Sequence, residues 1–469
     1  MYLVLGHPGT GKTTLGMQFL LEGAKRGERT LYISLSETQA EIRQVAASHG
    51  WSLDSVDLFE LSGAEQVLGL DRESSMFDPC EIEFRATSRS IIDTIERVNP
   101  SRVVFDSLSE LALLARDALA FRRELLMLKQ LFIDRGVTVL LLSQLAVAKA
   151  DQQLQSLAHG VLLLEELAPE FGAERRRLRL QKLRGSKCRG GYHDYRIETG
   201  GLVVYPRLIA GEHAANSRPL PLHSGVPGFD TMLGGGLPGG NSTLLMGPAG
   251  SGKSTIVAQL VASALARGEP AAMLLFDESI EVFVRRAESL GIELRAHLQT
   301  GLLRISVINA AESCPGELSN RVRDEVEQRQ IGILVIDSLN GYTHAMPEER
   351  FLTLHVHELL AYLNHVGVTT LLTLAQHGLV GPMSSPADLT YIADAILLTR
   401  FFESQGEIHR AISMVKNRAG GHESSIREFR IGPKGIHIGE PLAQFHGVLT
   451  GTPTFTGDPA TLMARNHDS

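Results

Sequence analysis

Twice in this chain a lysine and a hydroxyl residue close a glycine-rich run. One run is Gly6-His7-Pro8-Gly9-Thr10-Gly11-Lys12-Thr13-Thr14; the other is Gly247-Pro248-Ala249-Gly250-Ser251-Gly252-Lys253-Ser254-Thr255. Both fit G-x-x-x-x-G-K-[ST], with an apolar strand expected before and a helix after. Glycines at these places let the main chain curl so that successive N–H groups point at phosphate oxygens. The helix that follows presents its positive end to the same anion. Lys12 and Lys253 are then expected to reach the β- and γ-phosphates, and Thr13 and Ser254 to bind Mg²⁺. Thr14 and Thr255 stand next in line, either for an α-phosphate or simply as early helix residues.

Three further pairs extend this chemistry. Asp106 and Asp337 close the apolar runs RVVFD and ILVID. An acid at the carboxyl end of a buried parallel strand lies on the ligand edge of the sheet. There it holds Mg²⁺ through water or caps the strand end. Glu37 follows Ser36, and Glu278 follows Asp277; a carboxylate beside a γ-phosphate can polarise an attacking water or hydroxyl, although an acid at a helix start is the plainer reading. Lys182-Leu183-Arg184 and Lys416-Asn417-Arg418 offer cationic donors to a γ-phosphate transition state, such as an adjacent subunit supplies. Their alternative is an exposed basic pair on a strand.

These residues recur in order. Gly6 and Gly247 are 241 positions apart, as are Glu37 and Glu278; Asp106 and Asp337 are 231 apart, and Lys182 and Lys416 are 234 apart. The chain therefore contains itself twice. Each copy reads as a strand (Tyr2 to Leu5; Ser242 to Met246), a helix (Leu15 to Lys25; Ile256 to Arg267) and a second strand (Thr30 to Ser34; Ala271 to Phe276). More helices and strands alternate beyond these, the pattern of a parallel α/β sheet. The expected division is a first domain over 1–212, a linker over 213–222, a second domain over 223–440 and a tail over 441–469. The tail is expected to pack loosely or cross to a neighbour. The second copy opens with GVPGFDTMLGGGLPGG, Gly225 to Gly240, which has no counterpart in the first; the expected explanation is a start upstream of Met1.

Composition limits the alternatives. At 469 residues, two large or three ordinary domains are expected. With 43% apolar and 21% charged residues the chain is neither disordered nor fibrous. A net charge of −8 makes a nucleic-acid surface a poor expectation. Cys80, Cys188 and Cys314 lie too far apart for a zinc or disulfide framework and are read as packed thiols of a reduced, cytoplasmic chain. The first five residues lack the features of a secretory leader, and no apolar run is long enough to span a membrane. His7, His377 and His422 show no metal-ligand spacing, and Trp51 is expected to pack on the helix after Glu37. Arg116, Arg122, Arg123 and Lys129 are read as a solvated face, with a subunit contact as the alternative.

Taken together, the tandem GxxxxGK[ST] loops, the FDS and IDS strand ends, KLRG and KNRAGGH, and the Gly225–Gly240 stretch resemble the KaiC family of RecA-superfamily ATPases. The resemblance runs from Met1 to about Gly451. It implies two stacked RecA-like domains, each a mostly parallel twisted sheet flanked by helices, in a homohexameric ring with ATP at subunit interfaces. By position, Lys12, Thr13, Glu37 and Asp106 would form one site, completed by a neighbour's Lys182 and Arg184. Lys253, Ser254, Asp277, Glu278 and Asp337 would form the other, completed by a neighbour's Lys416 and Arg418. The family's clock member carries a Glu-Glu pair where this chain has Ser36-Glu37 and Asp277-Glu278. By the resemblance, Asp277 takes the place of a kinase general base. Aligning Ile392 to Leu398 with the family's strand puts Thr390 and Tyr391 at the two phosphoacceptor positions, where the bland reading is ordinary turn residues. The tail departs from a clock protein's regulatory tail, so clock partners are not expected.

The leading expectation is an Mg-ATP-dependent ATPase whose second half is a candidate serine/threonine autokinase. A nucleotide-gated scaffold that exchanges regulatory partners is the second reading, and a RecA-like DNA-processing ATPase the third.

Overall fold

The computed structural model describes residues 1–61, 79–115, 117–144, 155–168, 173–215, 220–344, 349–378, 389–404, 406–449 and 454–455. Arg116, part of the expected linker and most of the expected tail lie outside them. The chain divides into two compact units, Met1–Arg207 and Leu208–Ser469.

The first unit runs β1 (Tyr2–Gly6), α1 (Lys12–Lys25), β2 (Thr30–Ser34), α2 (Gln39–Ser48), β3 (Asp57–Glu60), α3 (Pro79–Val98), β4 (Arg102–Asp106), α4 (Leu108–Leu114), α5 (Ala118–Asp134), β5 (Thr138–Gln144), β6 (Gly160–Leu167), β7 (Arg175–Leu183), β8 (His193–Glu198) and β9 (Gly201–Tyr205). The sheet order is β3-β2-β4-β5-β1-β6-β7-β8-β9. Strands β3 through β6 pair parallel, and β7 to β9 fold back antiparallel.

Sequence accounts for both parts. The inner positions of β1 and β2 are apolar, and both strands are buried on both faces, as the centre of a parallel sheet requires. The two-residue period sends Leu3, Leu5, Ile33 and Phe105 to the side covered by Ile91, Leu111 and Leu128 of α3 to α5. Val4, Tyr32 and Val104 go to the other side, under Met17 and Leu20 of α1. Burying each such side chain contributes about 1.5–3 kcal/mol. Strand β7, RRRLRLQKL, carries long polar side chains and is only partly covered. Helix α2 starts on a capping box, Thr38 with Glu41.

The second unit opens with a 3-10 turn at Ala210–Glu212, followed by α6 (Pro227–Met232), β10 (Ser242–Gly247), α7 (Lys253–Ala266), β11 (Ala271–Leu275), α8 (Ile280–Ser289), α9 (Arg295–Thr300), β12 (Leu303–Val307), α10 (Pro315–Arg329), β13 (Ile333–Asp337), α11 (Leu339–His344), α12 (Glu349–His365) and β14 (Thr369–Ala375). It continues with β15 (Ala395–Ser404), β16 (Glu407–Asn417), β17 (Arg427–Gly432) and β18 (Gly435–Pro441), followed by a short pair, β19 (Phe445–His446) and β20 (Thr454–Phe455). Its sheet, β12-β11-β13-β14-β10-β15-β16-β17-β18, repeats the first strand for strand. The expected α/β class and tandem sheets are therefore present, and the antiparallel hairpins add strands that the sequence pattern did not separate.

The opening segment of the second copy has a packing role. Phe229, Met232, Leu233 and Leu237 are fully buried in the core built around α7. Gly234 has φ +75°, and a Cβ there would lie 2.1 Å from the Gly421 carbonyl oxygen, so no other residue fits. In the tail, Phe445 and Val448 are buried against Phe402 and Ala411 of the same unit, so this described part is packed rather than loose. Trp51 packs beside Ile42 and Ala46 of α2, as expected. On α5, Arg123 is exposed and Lys129 donates to the Leu157 carbonyl, but Leu119, Leu126 and Ile133 are exposed too, so that face is not purely polar.

Candidate functional site

Each phosphate-loop candidate lies between the carboxyl end of the central strand and the first turn of the next helix, β1 to α1 and β10 to α7. Gly9 and Gly11 have φ of +86° and +81°; Gly250 and Gly252 have +74° and +100°. Space constrains the last glycine of each loop as well as its dihedral angles. A Cβ on Gly11 would stand 2.7 Å from Ile197 Cδ1, and one on Gly252 would stand 2.6 Å from Ile431 Cδ1. These isoleucines come from β8 and β17, so the antiparallel hairpins press on the loops from behind.

The two lysines point back over their loops. Lys12 Nζ donates to the carbonyls of Gly6 and His7, both at 2.9 Å. Lys253 Nζ donates to those of Gly247 at 2.9 Å and Pro248 at 2.8 Å. Burial lowers both below the ordinary lysine value, against the opposing pull of Asp106 or Asp337, and Lys253 is brought down to about 8. An ammonium held among carbonyls and short of counter-charge is suited to receive an anion.

In the first unit the hydroxyl and the strand-end acid meet. Thr13 Oγ1 donates to Asp106 Oδ2 at 2.8 Å, and the Tyr32 phenol donates to the same oxygen at 2.6 Å. Burial, then Asp106, push Tyr32 well up, so it stays a donor. Glu37 is fixed by Ser34, whose Oγ donates to the Glu37 carbonyl and accepts from its N–H. Its Oε2 is buried without a hydrogen-bond partner. Burial, followed by Asp106 and Glu41, raises Glu37 above the usual carboxylate range. Thr14 Oγ1 lies 3.3 Å from His49 Nε2, at the edge of hydrogen bonding. Thr10 is fully buried and its carbonyl accepts from the Tyr195 phenol at 2.6 Å.

The second unit holds equivalent groups by different means. Asp337 Oδ1 accepts from Thr373 Oγ1 on β14 at 2.5 Å, while its Oδ2 is buried and unpartnered. Asp277 Oδ2 accepts from Ser338 Oγ at 2.7 Å. Ser251 Oγ and Thr399 Oγ1 lie 2.7 Å apart, bracing this loop to β15. Glu278 is paired with Arg286, at 2.6 and 2.7 Å. The Asp106–Ser107 and Asp337–Ser338 peptide bonds are both cis.

The family model described as "ATPase: KaiC" matches this chain twice, over residues 1–209 and 222–443.

The chain belongs to the KaiC ATPase family.

Among its relatives, the circadian clock protein KaiC3 of Synechocystis sp. is 26% identical, covering 97% of this chain and 90% of the relative. The circadian clock oscillator protein KaiC of Synechococcus elongatus is 27% identical over 99% and 90%. That of Acaryochloris marina is 27% identical over 96% and 87%.

Within this KaiC-family chain, Lys182 on β7 pairs with Val161 near the start of β6, and Lys416 on β16 pairs with Ile396 near the start of β15. Lys182 Nζ donates to the Gln155 and Ser156 carbonyls, and Arg184 also donates to Ser156. Lys416 Nζ donates to the Thr390 and Ala393 carbonyls at 2.7 Å each, and Arg418 Nη2 donates to Tyr391 at 2.9 Å. Both pairs thus grip the turn that precedes β6 or β15. Tyr391 is exposed and Thr390 half-buried. Sequence reasoning missed Tyr32, Thr373, Tyr195, Ser338 and Arg286. The first four act on partners remote in sequence, and Arg286 on Glu278 across a local turn; only the strict repetition of the two halves could have drawn attention to places where they differ.

No helix among the described residues is long and apolar enough to cross a membrane.

Proposed function

We propose that both halves bind Mg-ATP and hydrolyse it. The observation that carries this reading is the convergence of Thr13 and Tyr32 on Asp106 beside the loop closed by Lys12. The residues suit magnesium: each half has one loop hydroxyl and one strand-end carboxylate, Thr13 with Asp106 and Ser254 with Asp337, and Asp337 Oδ2 is buried with an unused lone pair. Magnesium when bound supplies charge neutralisation at the β,γ-phosphate oxygens.

The chain's own groups do the rest. Loop N–H groups and the helix N-termini orient the triphosphate, and Lys12 or Lys253 turns from its carbonyls to phosphate oxygen. Glu37 accepts the proton of an attacking water through its unpartnered Oε2. The water oxygen bonds to the γ-phosphorus in line, the bond from phosphorus to the β,γ-bridging oxygen breaks, and ADP leaves with that electron pair. Cationic donors from a neighbouring copy, Lys182 with Arg184 and Lys416 with Arg418, stabilise the charge that develops. This trans arrangement needs a closed oligomer, which we take to be a hexamer.

One observation favours a second reading, phosphoryl transfer to the chain itself. Lys416 and Arg418 are tied to the main chain of Thr390 and Tyr391, which links the candidate acceptors to the candidate γ-phosphate donors. There Asp277 would take the hydroxyl proton of Thr390.

The test is ATP turnover by the full chain and by Lys12→Ala, Lys253→Ala and the double variant. Each single variant is expected to lose the turnover of its own half, and the double variant all of it. Turnover that survives in the double variant overturns the reading. Following γ-labelled phosphate into protein or into free phosphate separates autokinase from ATPase, and nucleotide-dependent capture of partners without turnover would favour the scaffold.

A further inference from the structure

The two halves treat their matched glutamates differently. Helices α2 and α8 align at the constant spacing of 241, so Glu37 corresponds to Glu278 and Val45 to Arg286. Only the second half therefore has a guanidinium at that place. Arg286 Nη1 donates to Glu278 Oε2 at 2.7 Å, and Nη2 donates to Oε1 at 2.6 Å. The guanidinium lies over the ring of Phe283, 5.4 Å from its centre, and that ring is fully buried. Arg286 also forms part of the wall of a small cleft with Ser254 and Thr255, the residues that follow the loop lysine. Asp277, the other acid of the pair, is engaged by Ser338. In the first half, Glu37 Oε2 is buried with no partner.

We propose that Arg286 is a positioning residue of the second half: it clamps both oxygens of Glu278 and withholds that carboxylate from proton acceptance. Both Glu278 oxygens accept from guanidinium N–H groups, which lowers the basicity of their remaining lone pairs, so taking a proton from water weakens two charge-assisted bonds of a bidentate pair. No equivalent barrier faces Glu37. Hydrolysis in the second half is thereby held below the rate its phosphate loop would permit. A long-lived bound triphosphate there favours slower uses of the γ-phosphoryl group, of which transfer to a side chain is one. The inference rests on the ATPase reading above.

The experiment uses the full chain with Lys12→Ala, which leaves only second-half turnover. Adding Arg286→Ala is expected to raise kcat about fivefold, equivalent to about 1 kcal/mol off the barrier, with KM for ATP little changed. Arg286→Lys, which offers a point charge and not a fork, is expected to give a smaller rise. Adding Glu278→Gln to Arg286→Ala should abolish the gain, since the freed carboxylate is its source. A merely structural arginine would lower the melting temperature without raising kcat. If kcat is unchanged or lower in folded Arg286→Ala, or in Arg286→Lys should the alanine variant not fold, the clamp is overturned. Failure of the underlying reading looks different: the Lys12→Ala, Lys253→Ala chain would still turn ATP over.

Discussion

The phenol of Tyr32 donates to Asp106 Oδ2 at 2.6 Å, from the strand next to the one that carries the acid. The same oxygen receives the Thr13 hydroxyl, so the carboxylate is oriented from two sides. Tyr32→Phe removes one donor to a charged group, which costs about 1.5–3 kcal/mol in such settings. We expect first-half turnover, measured in Lys253→Ala, to need more Mg²⁺ for half-saturation and to fall roughly tenfold. A Mg²⁺ titration that matches the parent's would show that the phenol does not organise the acid.

Lys253 is buried enough to be brought down to about 8. Between there and the ordinary 10.5, the unfolded chain binds more protons than the folded one, so this group's contribution to stability rises with pH across that window. A triphosphate favours the ammonium. Nucleotide binding to the second half is therefore expected to take up a proton near pH 8, about half a proton per site at that pH. Calorimetric titration of Lys12→Ala in two buffers of different ionisation enthalpy measures it, and identical heats in both buffers would refute the expectation.

Glu37 lies above the ordinary 4.5, because it is half-buried and faces Asp106 and Glu41. A carboxyl raised in the folded state contributes its stability below the unfolded value and loses it as pH rises through the folded one. Glu37→Gln is thus expected to be the more stable protein at neutral pH, with the advantage gone below about pH 4.5. Its first-half turnover should drop by a factor on the order of 10²–10⁴, and the parent's turnover should have its acid limb above the usual carboxylate range. Thermal melts and pH–rate profiles in a Lys253→Ala background decide both points.

A mixture tests whether Lys416 acts on a neighbour. Lys253→Ala chains keep their Lys416, and Lys416→Ala chains keep their loop lysine. Mixed after dissociation, with first sites silenced by Lys12→Ala, they should recover roughly a quarter of second-half turnover if random pairing brings an intact loop to an intact lysine. Recovery no greater than the average of the separate preparations would place Lys416 in its own chain's site, or outside the chemistry.

The loops, the strand-end acids and the doubling were legible because each rests on local spacing: a glycine needed for a positive φ, or a carboxylate after an apolar run. Pairings across strands were not. Tyr32 reads as an ordinary residue of TLYIS until the order β2-β4 puts it beside Asp106, whereas Thr373 serves Asp337 from the opposite neighbour, β14. Arg286 reads as one more basic residue of an amphipathic helix until the turn before α8 folds Glu278 against it. The Lys-x-Arg pairs were found by repetition, but the hold of Lys416 and Arg418 on the Thr390–Tyr391 turn, beside a register shift at Ile396–Leu397, is announced by no motif.

The isoleucines that crowd Gly11 and Gly252 reach the loops from strands β8 and β17, close to two hundred residues downstream in each half. The anion cradle is therefore an end product of synthesis: a ribosome must release nearly a whole copy before its glycines gain their backing. A nascent or C-terminally clipped half would own every signature residue and still grip nucleotide poorly, so recognition by motif and competence to bind part company in such fragments.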